Sequence, residues 1–272
     1  MKKHSKDKDR RGRAIGRFGS LTPPSKPRNA PPAAIAALRA TFTSVADRVE
    51  RALEARTATA AIEAATIAAE ALDASIVNAM ELSTERPACA AGCSYCCRGV
   101  RVDVSVPEIA RIVDHAQNTL AEDVLQEVRE RARTNAEQTH GKHPLQYPQR
   151  LPCALLAPDG SCLVYAVRPV ACRNEHSKSV EQCKAGHDEP QLGVTVPIDR
   201  IIARQFAGSV VIMGAARGVE QASGDAQPCE LQEALNIAFT TPNAVARWLA
   251  GDDAFRSARI DPDEAGPARR SP

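Results

Sequence analysis

Four cysteines fall within nine residues, Cys89-x3-Cys93-x2-Cys96-Cys97, and after 55 intervening residues four more follow as Cys153-x8-Cys162-x9-Cys172-x10-Cys183. Thiolates are soft donors suited to zinc or to iron–sulfur clusters, and short spacings let one loop offer several sulfurs to a common centre. Buried free cysteines acting as small hydrophobes explain one or two such residues, not four in nine. The pattern therefore demands a fold in which a tight loop near residue 90 meets segments 60 to 90 residues further on. Eight thiols exceed the four of a mononuclear site, and adjacent side chains such as those of Cys96 and Cys97 rarely reach one tetrahedral ion together. Two centres or one multinuclear centre are expected, holding zinc or iron, with an iron–sulfur cluster among the options. The ninth cysteine, Cys229, has no neighbour at ligand spacing and is read as a bystander.

The rest of the chain supplies the frame. Aromatic residues make up only 3% of the 272, so the core is expected to be built from Ala, Leu, Val and Ile, a composition that suits helices. The expected class is mainly α: helical flanks around a cysteine-rich module with a short β-hairpin. Residues 1–32 combine Lys/Arg runs with five prolines and read as a disordered basic tail. Apolar positions at helical spacing (Ile35, Leu38, Phe42, Val45, Val49, then Ile62, Ala65, Ala69, Leu72, Ile76) predict one long helix or a helical hairpin over 33–84, bending near Arg56 to Thr59. The cysteine module is expected over 85–190. Within it, capping boxes at Ser105 and Thr119 predict helices at 106–117 and 120–136, and Pro158-Asp159-Gly160 predicts a hairpin between Cys153 and Tyr165. C-terminal helices are expected over 191–258: one at 199–217 with Ile202, Phe206, Val210 and Met213 on its face, then 230–240 and, behind Thr241 and Pro242, 242–250. Residues 259–272 are expected to be a disordered tail. Gly214-Ala-Ala-Arg-Gly218 has neither the lysine nor the strand of a phosphate-binding loop.

Charge and cysteine usage narrow the setting. Residues 1–28 carry a local +8, which leaves −6 on the remainder, so weak attraction to polyanions can come only from the tail. No apolar stretch follows the basic start, and none is long enough to span a bilayer. A reducing, cytoplasmic location follows as an expectation, in agreement with the odd cysteine count.

Cys-x3-Cys-x2-Cys-Cys, the later Cys-x8-Cys-x2-Tyr-x2-Arg-Pro-x2-Cys-Arg and a trailing cysteine resemble the YkgJ-like cysteine-cluster family, a zinc- or iron-chelating domain. The matching positions are Cys89, Cys93, Cys96, Cys97, Cys153, Asp159, Gly160, Cys162, Tyr165, Arg168, Pro169, Cys172, Arg173 and Cys183. The resemblance spans about 85–185 and implies a chelating site made of the eight clustered thiols. Flagellin lysine methylases share such a cluster. Four thiolates around zinc, or around an oxidised four-iron cluster, leave a charge near −2 that calls for cations or N–H donors, and Arg98, Arg168 and Arg173 stand close in sequence. Tyr165 is expected to pack over the hairpin. His176 and His187 each follow a cysteine by four, a spacing that on a helix aligns both side chains and makes the histidines the other possible ligands; both are read first as surface residues or as supports to the ligands, and the other histidines have no comparable context.

Two kinds of function fit. The first is a metal-binding interaction or assembly protein whose helices face an unknown protein partner. The second is a cluster-dependent enzyme, such as a methylase-like transferase or a redox protein. Cys89-x3-Cys93-x2-Cys96 also resembles the spacing of radical S-adenosylmethionine enzymes, but Ala-rich helix precedes it and no alternating strand–helix series follows to build their barrel.

Overall fold

The computed structural model describes residues 31–81, 83–142, 146–148, 150–189, 198–223 and 225–260. The basic tail, His143 and the junction after Glu189 lie outside them. The architecture is mainly α. Helices α1 (Pro32–Leu53) and α2 (Ala58–Glu81) form the expected antiparallel hairpin. α3 (Val106–Thr119), α4 (Glu122–Thr139), α5 (Val170–Asn174) and α6 (Val180–Asp188) belong to the cysteine module. α7 (Ile202–Ser223), α8 (Leu231–Thr240) and α9 (Ala244–Leu249) follow. Two two-residue strands, β1 (Asp103–Val104) and β2 (Cys229–Glu230), pair antiparallel across 124 intervening residues, a long-range contact that no local sequence pattern announces. Among the described residues no helix is long and apolar enough to cross a membrane. No strand series of a barrel is present among them either.

The bend between α1 and α2 has no Gly or Pro because Arg56 takes the left-handed conformation, at φ 49°. That conformation is costly for a residue with a Cβ. Tertiary bonds offset the cost: the Arg56 guanidinium donates to Leu249 O at 3.0 Å and to Ala222 O at 3.2 Å. The turn thus also ties the helical hairpin to the ends of α7 and α9.

α3 begins at the predicted capping box. Ser105 N and Oγ both donate to Glu108 Oε2 at 2.8 Å. The Thr119 box does not form. Thr119 ends α3, its hydroxyl donating to His115 O at 2.7 Å, and α4 starts two residues later than expected. The expected helix behind Thr241 and Pro242 likewise begins later, at Ala244, with Asn243 in the left-handed region. The predicted hairpin is minimal. It consists of one bridge, Leu156 with Cys162, closed by Ala157 N to Ser161 O at 2.8 Å and Leu163 N to Leu155 O at 2.9 Å. At the other end the chain stays packed through Ile260, which is 5% exposed, and Arg259 bridges to Cys229.

The core joins these layers through Leu72, Ile109, Ile112, Val128, Leu231, Leu235 and Phe255, all nearly inaccessible. α7 differs from expectation in the face it buries. Of the expected face only Val210 is fully buried; Ile202 is 80% exposed, Phe206 and Met213 are half-buried, and the buried stripe runs through Ala207, Val211, Gly214 and Gly218. The two glycines explain the change, because they let α1 approach closely. A Cβ at Gly214 would lie 2.8 Å from Phe42 O, and one at Gly218 would lie 2.4 Å from Ala46 O. The glycine pair that fails as a phosphate loop is therefore a helix-packing seam. Gly218→Ala should separate α1 from α7 and destabilise the protein by about 1–3 kcal/mol despite the better helix propensity of alanine. Denaturant unfolding checks this; an unchanged or raised midpoint would mean that the seam does not limit the approach.

Candidate metal centre

The first cysteine motif has almost no regular structure. Its shape comes from backbone bonds to other segments. Ala88 N donates to Ser177 O at 2.8 Å, fixing the entry to the loop. Cys93 N donates to Ala90 O at 3.1 Å, and Tyr95–Cys97 make a single 3-10 turn. Arg98 then bridges to Pro152, Gly99 N donates to Leu151 O at 2.7 Å, and Cys153 N donates to Cys97 O at 2.8 Å, which sets Cys97 beside Cys153. Gly160, at φ +85°, lets the hairpin turn seat against the same loop: a Cβ there would be 3.0 Å from Gly92 O. Asp159 shapes that turn by accepting from Ser161 N at 2.9 Å and Ser161 Oγ at 2.7 Å.

The remaining thiols arrive on short helices. α5 carries Cys172, and its first turn is held by Val170 N donating at 2.7 Å to Glu108 Oε1. One buried carboxylate thus caps α3 and α5 together. α6 carries Cys183 and is capped by Ser179, whose hydroxyl accepts from Gln182 N at 3.2 Å.

Electrostatics reports which thiols share space. Burial pushes the Cys153 thiol up to about 11. Cys172 is raised well above the ordinary thiol range, first by burial and then by Cys153, Cys96 and Cys162. Cys162 rises through burial, with Cys96 adding to it and Arg168 opposing it. Cys183 rises through burial, then through Cys89, Cys93 and Cys96. Cys96 is also raised, by a hydrogen bond with the Cys97 side chain, then by burial and the Cys97 charge. The structure places four of the eight predicted residues, Cys96, Cys97, Cys153 and Cys172, around one small cavity, and the neighbours that raise the other thiols link Cys162 to Cys96, and Cys183 to Cys89, Cys93 and Cys96. All eight are free thiols. Cys229 stands apart in the core, 2% exposed, its thiol pushed up to about 12 by burial.

The segments are gathered, but among the described residues no three His, Cys, Asp or Glu side chains stand close enough to hold an ion as they lie. Protonated thiols gain nothing from mutual approach, whereas a dication stabilises the thiolates that burial and their neighbours disfavour. The donor set fits zinc or iron, being all-sulfur and crowded. So do the surroundings. A cavity of about 40 Å³ opens among Cys96, Cys97, Cys153 and Cys172. The Nε atoms of Arg168 and Arg204 are buried with no partner, N–H donors of the kind a negatively charged thiolate centre accepts.

Two residues of this surround escaped the sequence reading because they lie outside the cysteine pattern. Gln232 of α8 donates from Nε2 to Cys153 Sγ at 3.5 Å, while its Oε1 accepts from Ala154 N and Asn135 Nδ2, each at 3.0 Å. Arg204 of α7 donates from Nη2 to Arg173 O at 3.0 Å, next to Cys172 in the chain. Other expectations change. Arg173 is a structural clamp, bonding Ala166 O, Arg168 O and Asp73 Oδ2, the last at 2.9 Å. Tyr165 does not pack over the hairpin. It is 60% exposed and carries the Arg168 guanidinium on its face, 4.2 Å from the ring centre. His176 is no surface residue either: it is 2% exposed, with Nδ1 bonding Asn174 O at 2.8 Å and Nε2 accepting from Ile201 N at 2.9 Å.

Residues 88–190 match the model of the cysteine-cluster family described as "CxxCxxCC: Putative zinc- or iron-chelating domain". This segment of the chain is similar to that family, and its first spacing, Cys89 to Cys93, is three residues where the family's name has two. No curated protein and no solved structure matches the chain.

His176 yields a pH prediction. Burial lowers its proton affinity below the ordinary value, so the native state holds it neutral while the unfolded chain takes up a proton below about pH 6.5. Its contribution is complete above that pH and is lost as the pH falls. Unfolding free energy should decline from pH 7.5 to 5.5 more steeply in the wild type than in His176→Gln. Equal slopes would show that His176 does not titrate against the fold.

Proposed function

We propose that the chain is a zinc- or iron-binding protein in which Cys89, Cys93, Cys96, Cys97, Cys153, Cys162, Cys172 and Cys183 supply the ligands, and that it serves an interaction or assembly role. The observation that carries the metal reading is the meeting of Cys96, Cys97, Cys153 and Cys172, all free thiols from three separate stretches of chain, around one cavity, where burial disfavours the charged forms of Cys153 and Cys172. A bound cation reverses that penalty and cross-links the stretches. Few apolar side chains of 88–100 are buried, so the metal is the main stabiliser of that loop. The division of the thiols, with Cys96 beside both sets, favours two centres or one multinuclear centre, which keeps an iron–sulfur cluster within the reading. A reducing, cytoplasmic setting suits nine free thiols.

The assembly role rests on the helical flanks, which extend well beyond the chelating segment. The large apolar residues exposed among the described residues are Ile202, Tyr165, Val77 and Val100, at 80%, 60%, 56% and 56% exposure. Their partner is another protein, and the basic tail adds weak, salt-sensitive attraction to polyanions.

Anaerobic purification followed by zinc, iron and labile sulfide analysis tests the reading. At least one ion per chain is expected, with full content in Cys229→Ser and loss of an ion or cluster in Cys172→Ser. Chelation should lower the melting temperature and loosen 88–190 while α1, α2 and α7 keep their helicity by circular dichroism. A metal-free protein with unchanged stability under chelation would overturn the proposal.

A further inference from the structure

α6 carries a second donor whose arrangement the thiols do not explain. His187 follows Cys183 by four on the helix, so both side chains project from one face. The imidazole is 15% exposed, and its Nε2 is buried with no hydrogen-bond partner. A buried ring nitrogen without a partner is uncommon and asks for a ligand. The other nitrogen, Nδ1, lies 3.1 Å from Asp188 Oδ1. A carboxylate on Nδ1 fixes the tautomer and leaves the Nε2 lone pair free, the arrangement found behind zinc-bound imidazoles.

The position of the ring is also fixed. It meets Tyr95 edge-on at 5.4 Å between centroids, with 63° between planes, so it abuts the turn that carries Cys96 and Cys97. Arg150 holds the end of α6 by donating to the carbonyls of His187, at 3.4 Å, and Asp188, at 3.2 Å. His176, four residues after Cys172, provides the contrast, since both of its nitrogens are already engaged.

We propose that His187 Nε2 is a metal ligand, completing with Cys183 and the thiols of the Cys89–Cys93 loop a mixed sulfur–nitrogen site for a divalent transition metal, with Asp188 as its positioning residue. The inference rests on the metal-binding reading and deepens it. It makes the set containing Cys183 a three-sulfur, one-nitrogen centre of the zinc type, and it leaves the set around Cys172 all-sulfur. The two centres then differ in charge by one unit, because a neutral imidazole replaces a thiolate.

Cobalt(II) tests the proposal on the full chain, since its d–d and sulfur-to-metal bands report both the number of ions and the ligand type. The demetallated wild type should bind cobalt with bands of mixed ligation. His187→Ala should weaken one ion by more than about tenfold, beyond the lower end of what losing a supporting partner alone costs. His187→Cys should keep the ion and move its d–d bands to lower energy, and Asp188→Asn should weaken the same ion without moving them. Should His187→Ala misfold by circular dichroism, the His187→Cys spectrum decides. A His187→Ala protein that folds and binds cobalt with wild-type stoichiometry, affinity and spectrum overturns the assignment of His187 and leaves the thiol reading standing, as does an unshifted His187→Cys spectrum. A wild-type chain that binds no cobalt overturns the metal reading and this assignment with it.

Discussion

The loop that carries half of the clustered thiols cannot fold by itself. Residues 88–100 contain one 3-10 turn and bury little, so their course is set by backbone donors and acceptors on other segments: Ser177, Leu151, Pro152 and Cys153. Those segments are themselves short. Glu108 fixes one of them by serving α3 and α5 at once, and its carboxylate is buried with all of its bonds made inside the protein. Unpaired buried polar groups are costly, so such an arrangement has few alternatives. The thiols are held in place by this small set of directional bonds, with apolar packing supplied mainly by the layer behind them.

That layer is where the chain departs from a free-standing chelating domain. Gln232 reaches Cys153 from α8, and Arg204 reaches from α7 to the Arg173 carbonyl beside Cys172. Both lie beyond residue 190, where the family match ends. The β1–β2 pairing ties the same C-terminal region to the start of α3. The flanking helices are therefore part of the surroundings of the centre, and N–H donors from them bear on thiolate charge in a way that the 88–190 segment could not arrange alone.

Much of this was legible in the sequence, and what was not has definite causes. Period and capping found α1 to α4, since an apolar stripe and a Ser105–Glu108 box are local signals. The eight thiols announced themselves by spacing. The stripe on α7 was misread because small residues carry the contact: apolar periodicity pointed to Ile202 and Phe206, whereas the close approach needs Gly214 and Gly218. Thr119 resembled a cap but prefers the carbonyl one turn back, a competing bond open to any threonine at a helix end. Gln232, Arg204 and the buried engagement of His176 depend on residues 25 to 97 positions away, and no local pattern encodes them.

The glycine seam between α1 and α7 has a mechanical consequence. Gly214 and Gly218 are one turn apart, and each accepts a carbonyl of α1, those of Phe42 and Ala46, where a side chain would not fit. Sliding α1 by part of a turn would drive these carbonyls onto neighbouring Cβ atoms, so the two helices are locked in register along their axes. Arg204 sits ten residues before Gly214, about 15 Å of helical rise. α7 therefore acts as a rigid ruler, setting the distance between the N-terminal helical hairpin and the guanidinium that bonds the Arg173 carbonyl beside Cys172.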